Sequence, residues 1–507
     1  MTNFIEALNK QINHDYVFKT TENGALGYAT TLNPFVDFNF KIPSYRKNVG
    51  QAVVDFAKCI SYDANLAMRF LFYLRDVRGG LGERNTFREI AVSVFNIVGN
   101  KELLKLFPEY GRWDDLIYLY FRVSNKKVRN MIISILRSQI MEDIANCRKG
   151  KPISLLAKWL PSITTKGGRK FALALYSELG FTSERVYRKT LSLLRKHLDV
   201  VERKMSAGEW EFIDYSTVPS KANVKYNSAF LRHDESRRRN FLGKVERGEA
   251  KINSSVNYPH DIVHEYCKDK GYWQPSIKAK DAGLEALWKA LPEFDGGEDT
   301  LVVADTSGSM FSRYGSGAYP YEVCYALAIY FAERAKGCFK DKAILFSNIP
   351  KFIDMSKGKT LQDKLNIIFK YNEIANTDIA ATFELILKTA ISSKLKQEDM
   401  PKTILVISDM EFDGGTIFNE RLFEALSRKY KENGYEMPKL VFWNVASRTN
   451  TIPLTENKNG IALVSGYSTN IVKMVLSNKL DAFEILKEQL MNKRYDIVEE
   501  LFSIKER

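Results

Sequence analysis

Apolar residues recur at helical spacing along most of the first 290 residues of the chain. The pattern is clear in residues 51–79, QAVVDFAKCISYDANLAMRFLFYLRDVRG, and again in residues 128–150, VRNMIISILRSQIMEDIANCRKG. Because apolar positions three and four residues apart share one face of a helix, this pattern predicts an all-helical region. Short breaks rich in Gly, Pro or Asn separate the segments. Successive helix pairs favour a solenoid or ring-like array, although no fixed repeat period is evident.

The pattern changes near residue 292, where short apolar runs begin to alternate with helical segments. The predicted strands are residues 300–305 (TLVVAD), 342–347 (KAILFS), 402–409 (KTILVISD), 439–446 (KLVFWNVA) and 460–466 (GIALVSG). Continuous apolar runs of this length are typical of buried parallel strands. Their alternation with helices predicts a doubly wound, Rossmann-like α/β sheet. The sequence therefore predicts helical repeats over 1–292, an α/β domain over 293–478 and a helical tail over 479–507 that packs on the rest.

Positive charge is concentrated in the middle of the chain. The 507 residues include 75 Lys and Arg against 61 Asp and Glu, a formal net charge of +14. Residues 151–251 contain 21 basic and 11 acidic side chains, whereas residues 298–448 contain 20 of each. A concentrated surplus of this kind favours a polyanionic partner, most often a nucleic acid. The alternative is ordinary solubility charge on solvated helix faces.

The start of the chain and its cysteines bear on location. The segment MTNFIEALNKQINHDY lacks the basic and then apolar stretches that mark a secretory signal. The sequence also contains no apolar run close to the roughly 20 residues that span a bilayer. The five cysteines are scattered without a CxxC pair, which favours reduced thiols over a disulfide framework. We therefore expect a cytoplasmic protein without membrane contact.

Oxygen-bearing side chains follow several strands of the predicted sheet. They are Asp305, Ser307 and Ser309 after the first strand, Thr377 before a predicted helix, and Asp409 at the end of the strand 402–409. Ligands of open α/β sheets bind at the carboxyl edge of the strands, so these side chains are expected to converge there. Carboxylate and hydroxyl oxygens suit Mg²⁺ or Mn²⁺. The sequence therefore predicts a divalent-metal site at this edge.

The pattern DxSxS, followed by a later Thr and a later Asp, resembles the metal-ion-dependent adhesion site of von Willebrand factor A domains. The resemblance covers roughly residues 298–475 and implies that Asp305, Ser307 and Ser309 ligate the metal. It further implies that Thr377 joins when a ligand engages the site and that Asp409 contacts the metal directly or through water. Sites of this family bind and do not usually catalyse.

Three neighbouring carboxylates have more than one interpretation. Asp378 is either part of the site or the N-cap of the helix that follows, and the cap is favoured. Glu411 and Asp413 either adjust metal affinity from outside the ligand set or face solvent, and exposure to solvent is favoured.

Three segments of the helical region are unusual for a plain scaffold, namely residues 75–84 (RDVRGGLGER), 111–116 (GRWDDL) and 186–261. Helical repeats with such segments before a von Willebrand A domain resemble the Ro (TROVE-module) RNA-binding proteins. The amino-acid sequence of these segments is most similar to the Ro-like family called domain of unknown function 2828, and the resemblance covers nearly the whole chain. It implies HEAT-like repeats that close into a ring with the von Willebrand A domain as clasp. It also implies structured RNA on the basic outer surface and single-stranded RNA ends in the hole.

The basic middle region supplies the candidate RNA contacts. These are Lys166, Arg169, Lys170, Arg232, His233, Arg237, Arg238, Arg239 and Lys244. Arginine forks match phosphate oxygens in a bidentate manner. The nearby Tyr226 and Phe230 could stack on unpaired bases, but core positions are favoured for both. The alternative for the arginine run is a solvated helix face with partners such as Glu235.

Together these features favour a non-enzymatic RNA-binding protein, a monomer that forms a ribonucleoprotein and carries a Mg²⁺ or Mn²⁺ site. The metal would hold an acidic group of a protein partner or of the ring itself. The alternative is a protein-interaction scaffold that captures a partner's Asp or Glu through the metal, without a nucleic-acid role. An enzyme is disfavoured because no nucleophile elbow, Walker loop or paired catalytic carboxylate stands out in the sequence.

Overall fold

The computed structural model describes residues 18–267, 276–294, 299–312, 318–373, 375–414, 421–477 and 479–503. This part of the chain divides into two compact units. An α/β unit is drawn from residues 18–62 and 252–492, and a helical unit from residues 63–251 and 493–503. Every helix in the described ranges is either too short or too polar to cross a lipid bilayer. All five cysteines lie in these ranges and are free thiols.

The elements are numbered here in chain order. The first are β1 (Phe18–Thr20), β2 (Leu26–Tyr28), α1 (Pro34–Tyr45) and α2 (Val49–Tyr62). A run of helices follows: α3 (Ala64–Arg75), α4 (Asn85–Ile97), α5 (Lys101–Lys105), α6 (Phe107–Tyr110), α7 (Trp113–Arg122), α8 (Lys126–Arg148), α9 (Leu156–Trp159), α10 (Arg169–Leu175), α11 (Glu184–His197), α12 (Val201–Ala207), α13 (Ser220–Lys225), α14 (Asn227–His233) and α15 (Glu235–Glu246). The remainder is α16 (Pro259–Tyr266), α17 (Ala282–Lys289), β3 (Thr300–Asp305), α18 (Pro320–Arg334), β4 (Lys342–Phe346), β5 (Lys351–Asp354), α19 (Leu361–Tyr371), α20 (Ile379–Ser392), β6 (Thr403–Ser408), α21 (Leu422–Glu432), β7 (Lys439–Asn444), β8 (Ile461–Ser465), α22 (Val472–Val475), α23 (Ala482–Leu490) and α24 (Asp496–Ser503).

Within the described residues, the α/β unit is built on a six-stranded sheet with the order β5-β4-β3-β6-β7-β8. Strand β5 is antiparallel to β4 and forms one edge, whereas the other neighbouring strands run parallel. The strand order changes direction at β3, with β4 on one side and β6 on the other. This is the switch point at which ligands bind in such sheets.

Helices cover both faces of the sheet, which explains why its five parallel strands are largely buried and apolar. All six residues of β3 are buried. Leu301 and Val303 share one core with side chains of α1, α20 and α21. Helix α18 packs on the other face, where the rings of Phe331 and Trp443 lie 5.5 Å apart. The predicted fold class is therefore confirmed: a helical-repeat region accompanies a doubly wound α/β fold of the von Willebrand A type.

Three strands were not predicted from the sequence, and each is too short or too polar to give a periodic signal. Strand β5 has four residues, of which only Ile353 is buried. Strands β1 and β2 have three residues each and form an antiparallel hairpin. This hairpin joins the α/β unit through a bridge between Tyr28 and Ile452.

The compact units are divided differently from the boundaries predicted at residues 292 and 478. Helices α1, α2, α16 and α17 belong to the α/β unit, and helix α24 belongs to the helical unit. Helix α1, for example, packs on β8, where the Asn39 side chain donates a 3.1 Å hydrogen bond to the Leu463 carbonyl. Apolar periodicity identifies a helix but not the surface against which it packs. The limit at 478 and the chain ends lie outside the described residues.

Helix α3 is the most fully buried of the long helices in the helical unit as described. All its residues from Leu66 to Arg75 are buried, and the last helix, α24, packs against it. Arg69 joins the two helices, because its guanidinium lies 2.9 Å from Asp496 and 2.5 Å from Glu499. Further along the unit, helices pack on near neighbours in sequence: α4 on α7, α7 on α8, and α8 on α11. Such local packing is expected of a helical-repeat array.

A buried ion-pair network explains why segments 75–84 and 111–116 looked unusual. The Asp115 carboxylate is buried and accepts hydrogen bonds from Arg75 Nε at 2.8 Å and from Arg88 Nε at 2.6 Å. The Arg112 backbone N–H donates to the same carboxylate at 3.0 Å. A Cβ atom at Gly111 would stand 2.5 Å from Asp115 Oδ2, so only glycine fits there. Both segments therefore have a structural role in the helical unit.

We predict that Asp115→Ala lowers the free energy of unfolding of the helical unit by about 3–5 kcal/mol, because it leaves the buried Arg75 cation without its carboxylate. Urea unfolding followed by circular dichroism measures the change. The control is Glu102→Ala, since Glu102 forms an exposed pair with Lys105 and should cost less than about 1 kcal/mol. Equal urea midpoints for the two variants would contradict a stabilising role for the network.

Candidate functional site

Asp305 is the last residue of β3 and is completely buried. Its carboxylate is held from two sides. The Ser307 backbone N–H donates to Oδ1 at 2.8 Å, and the Ser408 hydroxyl donates to Oδ2 at 2.5 Å. Ser408 ends β6, whose parallel register pairs Ala304 with Ile407 and so brings Ser408 beside Asp305. Ser408 was not among the predicted site residues, although the register of two predicted strands would have revealed it.

The loop after β3 brings the two predicted serine hydroxyls together. Ser307 Oγ and Ser309 Oγ are 3.1 Å apart, at the start of a short 3-10 turn. The Gly308 N–H donates to the Ala375 carbonyl at 3.1 Å, which ties this loop to the segment that carries Thr377. The DxSxS segment thus forms one local cluster of oxygen atoms.

Thr377 is held by reciprocal backbone contacts with Asp413. The Thr377 N–H donates to Asp413 Oδ2 at 3.0 Å, and the Asp413 N–H donates to the Thr377 carbonyl at 3.0 Å. The next residue, Asp378, accepts a 3.0 Å hydrogen bond from the Ala381 N–H. Asp378 is therefore the N-cap of α20, which is the interpretation that the sequence favoured.

Asp409 follows β6 and is also completely buried. Its Oδ1 atom accepts a 3.2 Å hydrogen bond from the Glu411 N–H. Its Oδ2 atom lies 3.7 Å from Arg448 Nη2 and accepts no hydrogen bond from the described residues. Buried carboxylate oxygens usually have a partner, so this oxygen is available to a cation.

Burial makes both carboxylates unusually basic. Burial raises the pKa of Asp305 to about 7, and the negative charge of Asp409 adds to the rise. Burial also raises the pKa of Asp409, an effect that the Arg448 charge and a hydrogen bond from Ser309 partly offset. The contact with Ser309 links the predicted ligands of β3 and β6 in one site.

Glu411 organises the loop after Asp409 and corrects the sequence interpretation. Exposure to solvent was favoured for Glu411 and Asp413, but Glu411 is completely buried and Asp413 is partly buried. The Glu411 carboxylate accepts hydrogen bonds from the Arg448 N–H at 2.7 Å and from the Thr449 N–H at 2.8 Å. The Thr449 hydroxyl donates to it at 2.8 Å. Local sequence could not reveal this role because these donors follow β7.

The turn of the β1–β2 hairpin also reaches this loop. The Thr21 hydroxyl donates to the Phe412 carbonyl, and the Asn23 amide donates to the Glu411 carbonyl, both at 2.6 Å. The same Asn23 amide lies 3.4 Å from Thr377 Oγ1. Nothing in the sequence indicated these contacts, because they join residues nearly 400 positions apart.

The donor set fits a hard divalent cation. It combines the buried carboxylates of Asp305 and Asp409 with the hydroxyls of Ser307, Ser309 and Thr377, and such oxygen ligands are those that Mg²⁺ and Mn²⁺ prefer. No group of three or more His, Cys, Asp or Glu side chains is arranged around a common point in the described ranges. An ion at this edge would therefore depend on the hydroxyls as well as on the carboxylates. The metal itself stays a prediction.

Most of the predicted RNA contacts are exposed in the helical unit. Lys166, Arg169 and Lys170 are exposed at and before the start of α10. Arg169 lies 3.7 Å from Glu184, a loose and solvated pair. Lys244, on α15, is also exposed.

The predicted contacts of α14 and α15 have more varied surroundings. Arg232 and His233 are exposed, and the His233 ring stacks on Trp210 with 4.5 Å between centroids. Arg239 is exposed and forms a 2.7 Å pair with Glu235, the partner that the alternative interpretation named. The Arg237 guanidinium donates to the carbonyl of Trp210 at 2.9 Å and remains partly exposed.

Arg238 was predicted as an RNA contact, and that prediction is wrong because the side chain is completely buried. Its guanidinium donates to Asn223 Oδ1 at 3.2 Å and lies 5.0 Å from the ring of Tyr215. It also lies 5.2 Å from the ring of Phe230. Phe230 itself is buried in this small core, as the sequence analysis favoured. Arg238 therefore stabilises the packing of α13 to α15.

An exposed aromatic side chain lies close to the basic residues. Phe212 is 63% exposed and lines a groove of about 320 Å³ together with Arg237, Phe241 and Lys244. An aromatic ring beside cations can stack on an unpaired base while the cations contact its phosphate. Phe212 was not among the predicted contacts, because an isolated Phe in a sequence gives no signal of its exposure.

Comparisons with known proteins match the chain over almost its whole length. Residues 177–293 match the family Domain of unknown function (DUF2828), and residues 299–502 match Domain of unknown function (DUF7788). The chain is 30% identical over 500 residues to "Uncharacterized protein L728" of Acanthamoeba polyphaga mimivirus, covering 90% of this chain and 84% of that protein. A crystal structure of the Ro (RSR) protein of Deinococcus radiodurans matches with 14% identity and a TM-score of 0.45, covering 82% of this chain and 91% of that one. The resemblance predicted from the sequence is confirmed, most directly by the DUF2828 match.

The raised pKa values predict that the metal-free protein loses folding stability as the pH rises. The pKa of Asp305 rises from 3.8 in the unfolded chain to about 7 in the folded protein, so the folded state binds its proton more tightly. The free energy of unfolding therefore falls as the pH rises from about 4 to about 7. We expect Asp305→Asn to stabilise the metal-free protein near pH 8 by up to about 4 kcal/mol, since the pKa of Asp305 rises from 3.8 to about 7 and each pKa unit corresponds to about 1.4 kcal/mol. The gain should vanish near pH 4.

Urea unfolding in EDTA at the two pH values measures this difference. Asp378→Asn is the matched control, because asparagine also caps a helix and should change stability little at either pH. A gain for Asp305→Asn of the same size at both pH values would contradict the prediction.

Proposed function

The chain belongs to the same family as the mimivirus protein L728, and we propose that it is a non-enzymatic RNA-binding protein with a divalent-metal site. The observation that carries the proposal is the basic surplus of residues 151–251, which contain 21 Lys and Arg but only 11 Asp and Glu. All of these residues lie in the helical unit. A local surplus of exposed cations is the electrostatic signature of nucleic-acid binding.

The exposed side chains offer both kinds of contact that RNA requires. Arg232, Arg239 and Lys244 can reach phosphate oxygens from the surface of α14 and α15. Phe212 and the stacked pair of Trp210 and His233 supply aromatic surface for unpaired bases. This combination favours RNA with single-stranded segments over a uniform duplex. The resemblance to Ro-like proteins, stated from the sequence, implies the same partner.

The metal site belongs to the α/β unit and would serve in binding. Asp305 and Asp409 would supply negative charge to Mg²⁺ or Mn²⁺, and Ser307, Ser309 and Thr377 would supply hydroxyl oxygens. When bound, such an ion accepts an oxygen of an incoming acidic group at a free coordination position. Hydrolysis at a metal requires a placed nucleophile or general base, and we assign no residue to that role. We therefore propose capture of an acidic group without turnover.

We predict that Arg232→Glu, Arg239→Glu and Lys244→Glu together weaken binding to an RNA with a single-stranded tail. The affinity of the unmodified protein should fall steeply with salt. The triple variant should lose at least about tenfold in affinity, and its log–log salt slope should be shallower by about 2, since each single-strand phosphate contact contributes about 0.7. Fluorescence anisotropy across a salt series measures both quantities.

Arg238 is omitted from this variant because its reversal would unfold the small core around it. The control reverses Lys388, Lys396 and Lys458, exposed lysines of the α/β unit, and should bind as the unmodified protein does. Equal losses of RNA affinity in the two triple variants would show that the loss comes from the change in net charge and not from this surface. An unchanged affinity in both would argue against RNA binding through this surface.

We predict that Mg²⁺ raises the melting temperature of the unmodified protein, because a ligand that binds only the folded state stabilises it by mass action. Asp409→Ala should abolish the rise, whereas Asp378→Asn should retain it. Differential scanning fluorimetry and isothermal titration with MgCl₂ measure the effect. Mg²⁺ binding without any RNA affinity would favour the scaffold function over the RNA-binding one.

A further inference from the structure

A cavity of about 460 Å³ opens in the helical unit beside helix α11. Four basic side chains line it: Arg188, Arg195 and Lys196 on α11, and Arg203 on α12. The hydroxyls of Ser162, Thr164 and Ser192 also line it, and its lining contains no carboxylate. Its volume lies in the range of pockets that hold small ligands, about 300–1,000 Å³. A cavity with this lining is suited to an anion.

The spacing of α11 places these groups on one face of the helix. Arg188, Ser192 and Arg195 stand at positions i, i+4 and i+7, which share a face. The loop of residues 160–164 contributes the other side chains of the lining and is attached to α11 by hydrogen bonds. The Tyr187 hydroxyl donates to the Pro161 carbonyl at 2.7 Å, and Arg195 Nη1 donates to Ser162 Oγ at 2.6 Å.

Arg195 is held in place by neutral acceptors alone. Its Nε donates to the Ala157 carbonyl at 2.8 Å, and its Nη2 donates to the Leu160 carbonyl at 2.7 Å. These bonds and the one to Ser162 use three of its five N–H groups within the described chain, so two remain for a ligand. Burial lowers the pKa of Arg195, as expected for a cation withdrawn from water without a carboxylate to balance it.

Its neighbours in the cavity are similarly placed to attract an anion. Neither Arg188 nor Lys196 forms an ion pair with a described carboxylate, and both are exposed. Arg203 does have acidic partners, since it lies 3.0 Å from Glu209 and 3.6 Å from Asp199. The uncompensated charge therefore belongs to the α11 face, where three cations converge on one space.

We propose that this cavity binds a phosphate group of RNA, a ligand site separate from the surface of α14 and α15. The proposal rests on the proposed RNA-binding function. A phosphate fits better than a carboxylate because it presents more acceptor oxygens to the several cations and hydroxyls. The phosphate comes either from the RNA backbone or from an RNA end, and the binding chemistry is the same.

The test compares two oligoribonucleotides of one sequence, with a 5′-phosphate and with a 5′-hydroxyl. Arg188→Gln with Lys196→Gln removes two exposed charges from the cavity and leaves Arg195 in its structural bonds. Lys127→Gln with Lys149→Gln is the control, because both lysines are exposed in the same unit. We expect the cavity variant to lose about tenfold in affinity and about 0.7–1.4 in salt slope, one or two single-strand contacts. The control should change less than about twofold.

The pattern of losses identifies the source of the phosphate. If the cavity holds an RNA end, the unmodified protein prefers the 5′-phosphate, and the cavity variant loses that preference. If it holds the backbone, both oligonucleotides lose affinity equally.

Equal affinity of the cavity and control variants for both RNAs overturns the inference while leaving the proposed function intact. Displacement of the RNA from the cavity by polyglutamate, at equal charge concentration, would assign the cavity to acidic peptides instead. Failure of the unmodified protein to bind either RNA would overturn the proposed function and this inference with it. Circular dichroism spectra of the variants verify that each remains folded.

Discussion

The burial of two like charges at one edge of a sheet is the constraint around which the α/β unit is arranged. Asp305 ends β3 and Asp409 directly follows the adjacent parallel strand β6, and both are excluded from solvent. An ionised carboxylate away from water is expensive unless hydrogen bonds, a proton or a cation stabilise it. Ser408 and backbone N–H groups donate hydrogen bonds to the carboxylates. The Arg448 guanidinium adds positive charge 3.7 Å from Asp409 Oδ2. The remaining imbalance raises both pKa values and leaves one oxygen of Asp409 for a cation.

The loops that hold this site depend on a third buried carboxylate. Glu411 collects donors from the segment after β7 and from the hairpin turn, so it connects parts of the chain that no local motif joins. Its bonds fix the course of the loop directly after Asp409. The Asp413 and Thr377 backbone contacts do the same for the segment before α20. The ligand geometry is therefore determined by residues outside the predicted ligand set.

Much of the fold and part of the site could be predicted because the signals are local. The strand 300–305 and the DxSxS spacing lie within ten residues, and both are where the sequence placed them. Asn23 and the buried role of Glu411 escaped prediction because their partners are brought near by tertiary packing alone, whereas the register of β3 and β6 could have revealed Ser408. Arg238 shows the complementary limit: three consecutive arginines span about 200° of a helix, so a sequence run cannot tell which member points inward. The pattern of charge predicted the basic surface well, since exposure is the ordinary state of Lys and Arg.

Both units are discontinuous in sequence, and this has a consequence for synthesis. The α/β unit uses residues 18–62 and then residues 252–492, and the helical unit uses residues 63–251 and then residues 493–503. During translation, the early helices α1 and α2 must wait for strands that emerge more than 200 residues later. The helical unit is completed only when α24 leaves the ribosome, after the whole of the α/β unit. The two units are therefore interleaved along the chain, and a single cut anywhere between residues 62 and 493 separates at least one unit from some of its helices or strands.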